Sequence, residues 1–495
     1  MRRRDFVVAA GAGLAGSASL AAACARSTGS APALAPGPHR AHPTPEQLTW
    51  HRRELALFLH FGVNTFTDRE WGLGSEDPRV FAPSALDARQ WVRAARAGGF
   101  RTVILTAKQH DGFCLWPTAL TTHSVASSPW RQGRGDVVRD LADAARAEGL
   151  ALGLYLSPWD RHEPSYGDTD RYNTFYCAQL TELLSGYGPV AEVWFDGANG
   201  EGPNGRRQEY DWPRIHQTVR RHQPRALIFS DAGPDIRWAG NELGVAGDPN
   251  WCTVDPATVP VPGMSGDAVT RALLHGDPDG AVWRPAESDV SIRPGWFWHP
   301  AEDARVRGAD NLLGLYLSSV GRNSGLLLNV PPRRDGLLHP TDVSRLAEFG
   351  GLRERIFGHD SALPARVTAV SAARGYGPAR VLDPDPDTFW MPAGDPGSAW
   401  LQLDFGQPVT FDLISLQEAI PHGQTIESFT VESCRDRWVR LAEGTTIGHR
   451  RIMGVAPGTA SRLRITVSSR GGPPRVSRVS LHSLAGQPPS PPGFR

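Results

Sequence analysis

The sequence predicts an α/β protein, a (β/α)8-like (TIM) barrel followed by a C-terminal antiparallel β-sandwich. Three observations predict it. From about residue 46 to about residue 335 one unit recurs: amphipathic helix, glycine, short apolar strand, polar cluster. After residue 358 the texture changes to short alternating strands separated by turn residues, the pattern of a sandwich. Polar side chains gather just past the apolar strands, which is where a barrel of this class collects its reactive groups.

Taken in order, residues 1–24, "MRRRDFVVAAGAGLAGSASLAAAC", read as a targeting segment rather than as fold. Arg3-Arg4-Asp5-Phe6-Val7 resembles a twin-arginine export signal, and "LAAAC" resembles a lipoprotein cleavage box with Ala21 where Leu is usual. The expected location is outside the cytoplasm, extracellular or held on the outer face of the cytoplasmic membrane through a lipid on Cys24. Gly11, Gly13 and Gly16 match a dinucleotide fingerprint in form, but no strand precedes them and the match is discarded. Residues 25–45, rich in Pro, Ala and Ser, read as a disordered tether.

In the barrel, residues 46–358, "LDARQWVRAARAGGF" leads into "RTVILTAK", "DVVRDLADAARAEGL" into "ALGLYLSPWD", and "FYCAQLTELLSGYG" into "VAEVWFDG". Trp91, Val92 and Ala95 share one helix face, as do Val138, Leu141 and Ala145, with Gly98 and Gly149 as stop signals. Further strands fit at Ala226–Ser230 and Gly325–Val330, with another leading into "LHFG", and eight such units would close a barrel. Residues 340–358 read as a helix against the barrel, 359–484 as the sandwich, and 485–495 as a disordered tail.

Composition excludes some classes of function. The net charge is +0, so nothing points to nucleic acid or another polyanion. Cys114, Cys177, Cys252 and Cys434 are widely spaced with no CxxC pair, and read as buried thiols. Sixteen Trp suit both a core and a sugar-stacking surface. Lys108 is the only lysine among 52 basic residues. It reads as a buried ammonium paired with a nearby carboxylate, where a planar guanidinium would fit poorly, with a part in the charge balance of the functional site as the alternative.

The strand-end clusters hold His60; Lys108, Gln109, His110 and Asp111; Trp159 and Asp160; and Asp196. Glu242, Glu287, Asp289, Arg293 and Asn329 follow. A metal hydrolase is disfavoured because there is no HExxH and His110-Asp111 alone is a weak signal. No Gly-x-Ser-x-Gly elbow stands at a strand end. Paired carboxylates among aromatic rings remain, the equipment of a glycosidase. On spacing alone a strand-end acid such as Asp196 is also explained as a turn residue. Glu287 and Asp289 are expected to pair with Arg293.

Eight ordered motifs, "HFGVNTF", "REWG", "KQHDGFCLWPT", "YLSPWDRHEPSYG", "VWFDGANG", "RWAGNE", "ESDVSIRPGWFWH" and "SVGRNSGLLLNVPPRRDGLL", resemble the α-L-fucosidases of glycoside hydrolase family 29. They are similar above all to the branch that cuts α-1,3/1,4-linked fucose from branched glycans, and the resemblance covers about residues 46–360. It implies a retaining exo-acting hydrolase of fucosylated oligosaccharides or glycoprotein glycans that works without a metal or an organic cofactor. By motif, the resemblance makes Asp196 the nucleophile and Glu242 the acid/base, a residue that lies elsewhere in the family's other branch. It puts His60, Glu70, Trp71, His110, Trp159, Tyr166, Arg293 and Trp296 in or around the fucose pocket. Gln109 stands where the family usually has His, and can exchange hydrogen bonds with a sugar hydroxyl but cannot titrate. The sandwich motifs "VLDPDPDTFWMP" and "WLQLDFGQP" resemble discoidin-type, factor V/VIII C-type modules, with a structural role expected. The alternatives are a fucose-binding protein that has lost the chemistry, and a hydrolase of another α-L-sugar such as an α-L-galactoside.

Overall fold

The computed structural model describes residues 41–484, Gly486 and residues 489–493. The expected export segment and the tether up to residue 40 lie outside the described residues.

Helix α1 (Pro45–Arg53) opens on a capping box in which Thr44 and Gln47 bond reciprocally, and it leads into β1 (Leu55–Leu59). The short α2 (Val63–Thr67) follows β1. Helix α3 (Ala88–Ala97) leads to β2 (Thr102–Lys108), and α4 (Val137–Glu148) to β3 (Ala151–Leu156). Helix α5 (Thr169–Gly186) leads to β4 (Glu192–Trp194), and α6 (Trp212–His222) to β5 (Leu227–Phe229). Helices α3 to α6 each begin at an Asp (87, 136, 168 and 211) whose carboxylate accepts from a first-turn N–H. Such a cap contributes about 1 kcal/mol. Gly149 closes α4 in the left-handed conformation. At the end of α3 the left-handed residue is Gly99, one position beyond the expected Gly98.

The regular alternation stops after β5. Strand β6 (Arg237–Trp238) follows without a helix. The chain then makes a long excursion through the ribbon β7 (Thr253–Val254) and β8 (Val282–Trp283), with α7 (Asp267–His275) between them. It returns as β9 (Ala286–Ser291), α8 (Ala309–Ser318), β10 (Gly325–Asn329) and α9 (Pro340–Phe357). The eight-stranded sheet has the order β5-β4-β3-β2-β1-β10-β9-β6, its paired strands all parallel. A parallel bridge between Phe229 and Ile236 joins the two ends. The sheet therefore approaches closure with eight strands but without eight equal repeats.

Strand parity aims the site. Successive side chains point to opposite faces, so every second residue shares one face. Leu55, Leu57 and Leu59 pack outward with the helices, whereas Phe58, Ile104, Tyr155, Trp194, Phe229 and Leu327 form a separate aromatic-rich core inside the barrel. Two residues beyond an inward-facing side chain lies another on the same face. Phe58 is thus followed by His60, Trp194 by Asp196, Phe229 by Asp231, and Leu327 by Asn329. Lys108 breaks this rule. A register shift between Thr106 and Lys108 interrupts the β2–β3 ladder, and the ammonium packs against α5.

The sandwich comprises β11 (Arg366–Ala369), β12 (Ser398–Glu418), β13 (Ile426–Cys434), β14 (Trp438–Gly444), β15 (Arg451–Ser469) and β16 (Val476–His482). Its antiparallel order is β11-β12-β15-β13-β14, with β16 also on β12. In place of short strands only, β12 has 21 residues and β15 has 19, because irregularities at Asp404/Val409 and Phe411/Leu413 let one strand run on through a bend. The described part of the expected disordered tail is held rather than loose. Ser490 N–H donates to the Asp310 carbonyl at 3.2 Å, and Asn311 donates to the carbonyls of Pro491 and Gly493. All four cysteines in the described residues are buried and free.

Candidate active site

The inward residues at the C-terminal ends of the strands line two adjoining cavities. The first, of about 170 Å³, is walled by Phe58, His60, Glu70, Trp71, Gln109, His110, Tyr155 and Trp296. The second, of about 270 Å³, is walled by Phe195, Gly197, Phe229, Asp231, Trp238, Gly263 and Met264. Trp194, Asp196, Ala198, Glu242 and Asp289 border both.

Asp196 sits where the two meet. Its Oδ1 accepts from the Ala198 N–H at 2.7 Å and its Oδ2 from the Tyr155 hydroxyl at 3.1 Å. Glu242 lies on the loop after β6. Asn241 staples that loop, donating to the carbonyls of Ala239 and Val245 while accepting from Leu243 N–H. The Trp296 indole N–H donates to Glu242 Oε2 at 3.3 Å. Burial of the carboxyl, then the charges of Asp196 and Glu70, raise the pKa of Glu242 above its usual range against the opposing indole bond.

The histidines have assignable roles. Asn329 Nδ2 donates to Ser291 Oγ and to the Trp296 carbonyl, so its Oδ1 is left to accept from His60 Nδ1 at 2.8 Å. Burial pushes the His60 pKa down to about 3. The neutral ring therefore keeps Nε2 as an acceptor. In the same way Ser157 donates to the Trp159 carbonyl and accepts from His110 Nδ1 at 2.7 Å. Burial also lowers His110, although Asp196 opposes it; His110 Nε2 stands 3.8 Å from Asp196 Oδ2, too far for a hydrogen bond. Gln109 Oε1 is buried and has no partner.

Glu70 lines the first cavity while accepting from the backbone N–H groups of Trp296 and Phe297 and from His299. Trp71 is 58% exposed at the mouth and meets His110 and Trp159 edge-on. Three residues expected around the sugar are not on the cavity wall. Trp159 is buried against His110, its indole N–H donating to the Glu201 carbonyl. Tyr166 is fully buried, its hydroxyl shared with Tyr210, Asn199 and Gly200. Arg293 is fully buried and bidentate on Asp342, with a third bond to Asp303. The expected pairing of Arg293 with Glu287 and Asp289 does not form. Those two face the barrel interior, where Glu287 accepts from the Trp194 indole and Asp289 from that of Trp238. The end of the strand explains the difference: residues 287 and 289 lie on β9 and share its inward face, whereas Arg293 lies beyond Ser291, where strand alternation no longer aims it, and it reaches Asp342 and Asp303 instead.

Lys108 is fully buried, donating to Asp160 Oδ2 and Gln179 Oε1 at 2.8 Å each and lying over the Tyr176 ring. Asp160 in turn accepts from the His162 and Glu163 N–H groups and so fixes the turn after β3. Sequence reasoning did not single out Tyr155, Ser157, Asp231 or Trp238. Tyr155 and Trp238 sit inside apolar stretches, and only the strand register shows that they line the cavities.

A family model described as Alpha-L-fucosidase matches residues 50–354, and one described as F5/8 type C domain matches residues 366–481. The chain is 44% identical over 449 residues to an Arabidopsis thaliana protein named Alpha-L-fucosidase 1, covering 89% of this chain and 87% of that one. It resembles the crystal structure of SpGH29 with a TM-score of 0.85 and 40% identity over 90% of this chain and 99% of that one. It also resembles a Ruminococcus gnavus GH29 fucosidase in complex with fucose, with a TM-score of 0.84, 33% identity and coverage of 92% and 97%. These matches span both the barrel that holds Asp196 and Glu242 and the sandwich behind it, and the chain belongs to the alpha-L-fucosidases of glycoside hydrolase family 29, a hydrolase with an F5/8 type C domain at its C-terminus.

Proposed function

We propose that the protein is an exported retaining exo-α-L-fucosidase acting on α-1,3/1,4-linked fucose of branched glycans. The observation that carries this reading is the meeting of Asp196 and Glu242 on the walls of the same cavities, with burial raising the pKa of the Glu242 carboxyl. Asp196, held by Tyr155 and Ala198, attacks the anomeric carbon. Glu242, whose pKa its surroundings raise, gives its proton to the departing oxygen and then takes one from the incoming water. His60, Gln109 and His110 exchange hydrogen bonds with ring hydroxyls. Glu70 holds the Trp296 segment and also faces the sugar, and Phe58 and Trp296 give the fucose methyl an apolar wall. Trp159, Tyr166 and Arg293 act from behind the pocket by fixing what lines it. The retaining course and the linkage preference rest on the resemblance of the motifs, and export rests on the twin-arginine-like N-terminus.

Turnover of an aryl α-L-fucoside and of a branched trisaccharide bearing α-1,3- or α-1,4-linked fucose tests the substrate class. Release from the trisaccharide alone supports the linkage preference, and release from neither overturns the proposal. The mechanism is tested by Asp196→Gly, expected to lose roughly a thousandfold or more in kcat and to form the inverted β-fucosyl azide when azide is added. Activity that survives without azide removes Asp196 as the nucleophile.

A further inference from the structure

The second cavity asks for an occupant. If the first holds the fucosyl ring, as proposed above, the chamber across Asp196 and Glu242 lies on the side to which the leaving group departs. Its far wall is the segment around Gly263 and Met264, part of the excursion between β7 and α7. One side chain fastens this segment to the barrel. Asp231, two residues beyond Phe229 on the inward face of β5, accepts from the Gly263 N–H with Oδ2 at 2.7 Å and from Ala232 N–H with Oδ1 at 3.0 Å. The fastening lies against the nucleophile's own turn. A methyl built on Gly197 would come within 3.1 Å of Asp231 Oδ2 and 3.3 Å of Gly263 N. Beyond the clasp, Met264 is 39% exposed and Val261 46% exposed, large apolar side chains left open beside a polar site.

We infer that Asp231 is a positioning residue for leaving-group specificity: by clasping Gly263 it holds Met264 as the apolar wall against which the sugar next to fucose packs. The stacked Trp194 and Phe229, with ring centroids 4.1 Å apart, and Trp238 line the same chamber, so a leaving sugar meets apolar surface from several sides. The clasp lines the second cavity alone, whereas the hydroxyl-reading residues His60, Gln109 and His110 line only the first. It therefore governs affinity for the leaving sugar and not for fucose itself.

The test measures binding, so that it does not depend on the catalytic reading. In an Asp196→Asn background, Asp231→Ala is expected to weaken the branched fucosylated trisaccharide about tenfold while leaving the Kd of free L-fucose within about twofold. Asp231→Asn retains an oxygen acceptor for Gly263 and is expected to restore most of the trisaccharide affinity. Met264→Ala is expected to weaken the trisaccharide in the same selective way. Equal weakening of both ligands by Asp231→Ala, or no change in either, overturns the inference, as does an Asn variant no better than Ala. Failure of the wild-type protein to hydrolyse any α-L-fucoside overturns the proposed function alone, because the two affinities still report on the clasp.

Discussion

Glu242 must carry a proton to do its proposed work, and its surroundings favour the protonated form. Burial and two neighbouring carboxylates raise its pKa, so the protonated form persists to higher pH than for an ordinary Glu. The expected consequence is an alkaline limb in kcat/KM that falls as pH rises through this raised value. Glu242→Gln should abolish that limb for an activated aryl fucoside; a limb that persists in the variant would assign it to another group. Lys108 makes the opposite case, a charge with no access to substrate. Arg at this position has to fit a wider head among Tyr172, Phe175 and Tyr176 and still reach Asp160. Lys108→Arg is expected to cost about 1–3 kcal/mol through overpacking, read as a lower Tm. A Tm and a turnover number equal to wild type would show that the ammonium has no special role.

At the scale of elements, the loop that carries Glu242 is held by its neighbours rather than by regular structure. Gly244 turns it with φ +69°, and its N–H donates to the Asp289 carbonyl on β9. An added methyl would stand 2.7 Å from Leu315 and 2.9 Å from Val290. Gly244→Ala therefore meets both left-handed strain and a packed wall, at about 1–3 kcal/mol. Displacing the loop should reduce kcat on a glycan, which needs protonation of its leaving group, more than on an activated aryl fucoside. Equal loss on the two would show that the loop does not position the acid. A similar dependence on register runs through the strands. The single shift at the end of β2 sends Lys108 toward α5, where an unbroken strand would have aimed it into the barrel.

For the whole molecule, the sandwich packs at the end of the barrel opposite the cavities. Glu54, just before β1, takes hydrogen bonds from Arg450 at 2.8 Å and from the Tyr316 hydroxyl at 2.8 Å. Ile452 N–H donates to the Gly321 carbonyl, and Leu413 and Ile452 belong to the barrel's own apolar core. The two domains thus share a core and a partly buried ion pair. Arg450→Ala would leave the Glu54 carboxylate largely buried without its strongest partner, with an expected cost of about 3–5 kcal/mol. Thermal unfolding would report it as one shifted transition. A separate early transition of the sandwich, with an unchanged barrel, would contradict the shared core.

The periodic helices, the apolar strands, the change to alternating strands and eight local motifs are properties of short stretches. They identified the barrel, the sandwich and the family, and they pointed to the two carboxylates now proposed for the chemistry. What needed the tertiary structure was every relation between distant stretches. Arg293 pairs with Asp342 and Asp303 rather than with Glu287 and Asp289; Tyr166 and Trp159 support the pocket from behind; and Tyr155 and Asp231 belong to the cavities. The physical reason is that local periodicity reports which side chains share a face of one strand or helix. Strand register, bulges and the closing of the barrel decide which of those faces meet, through contacts that no single segment contains.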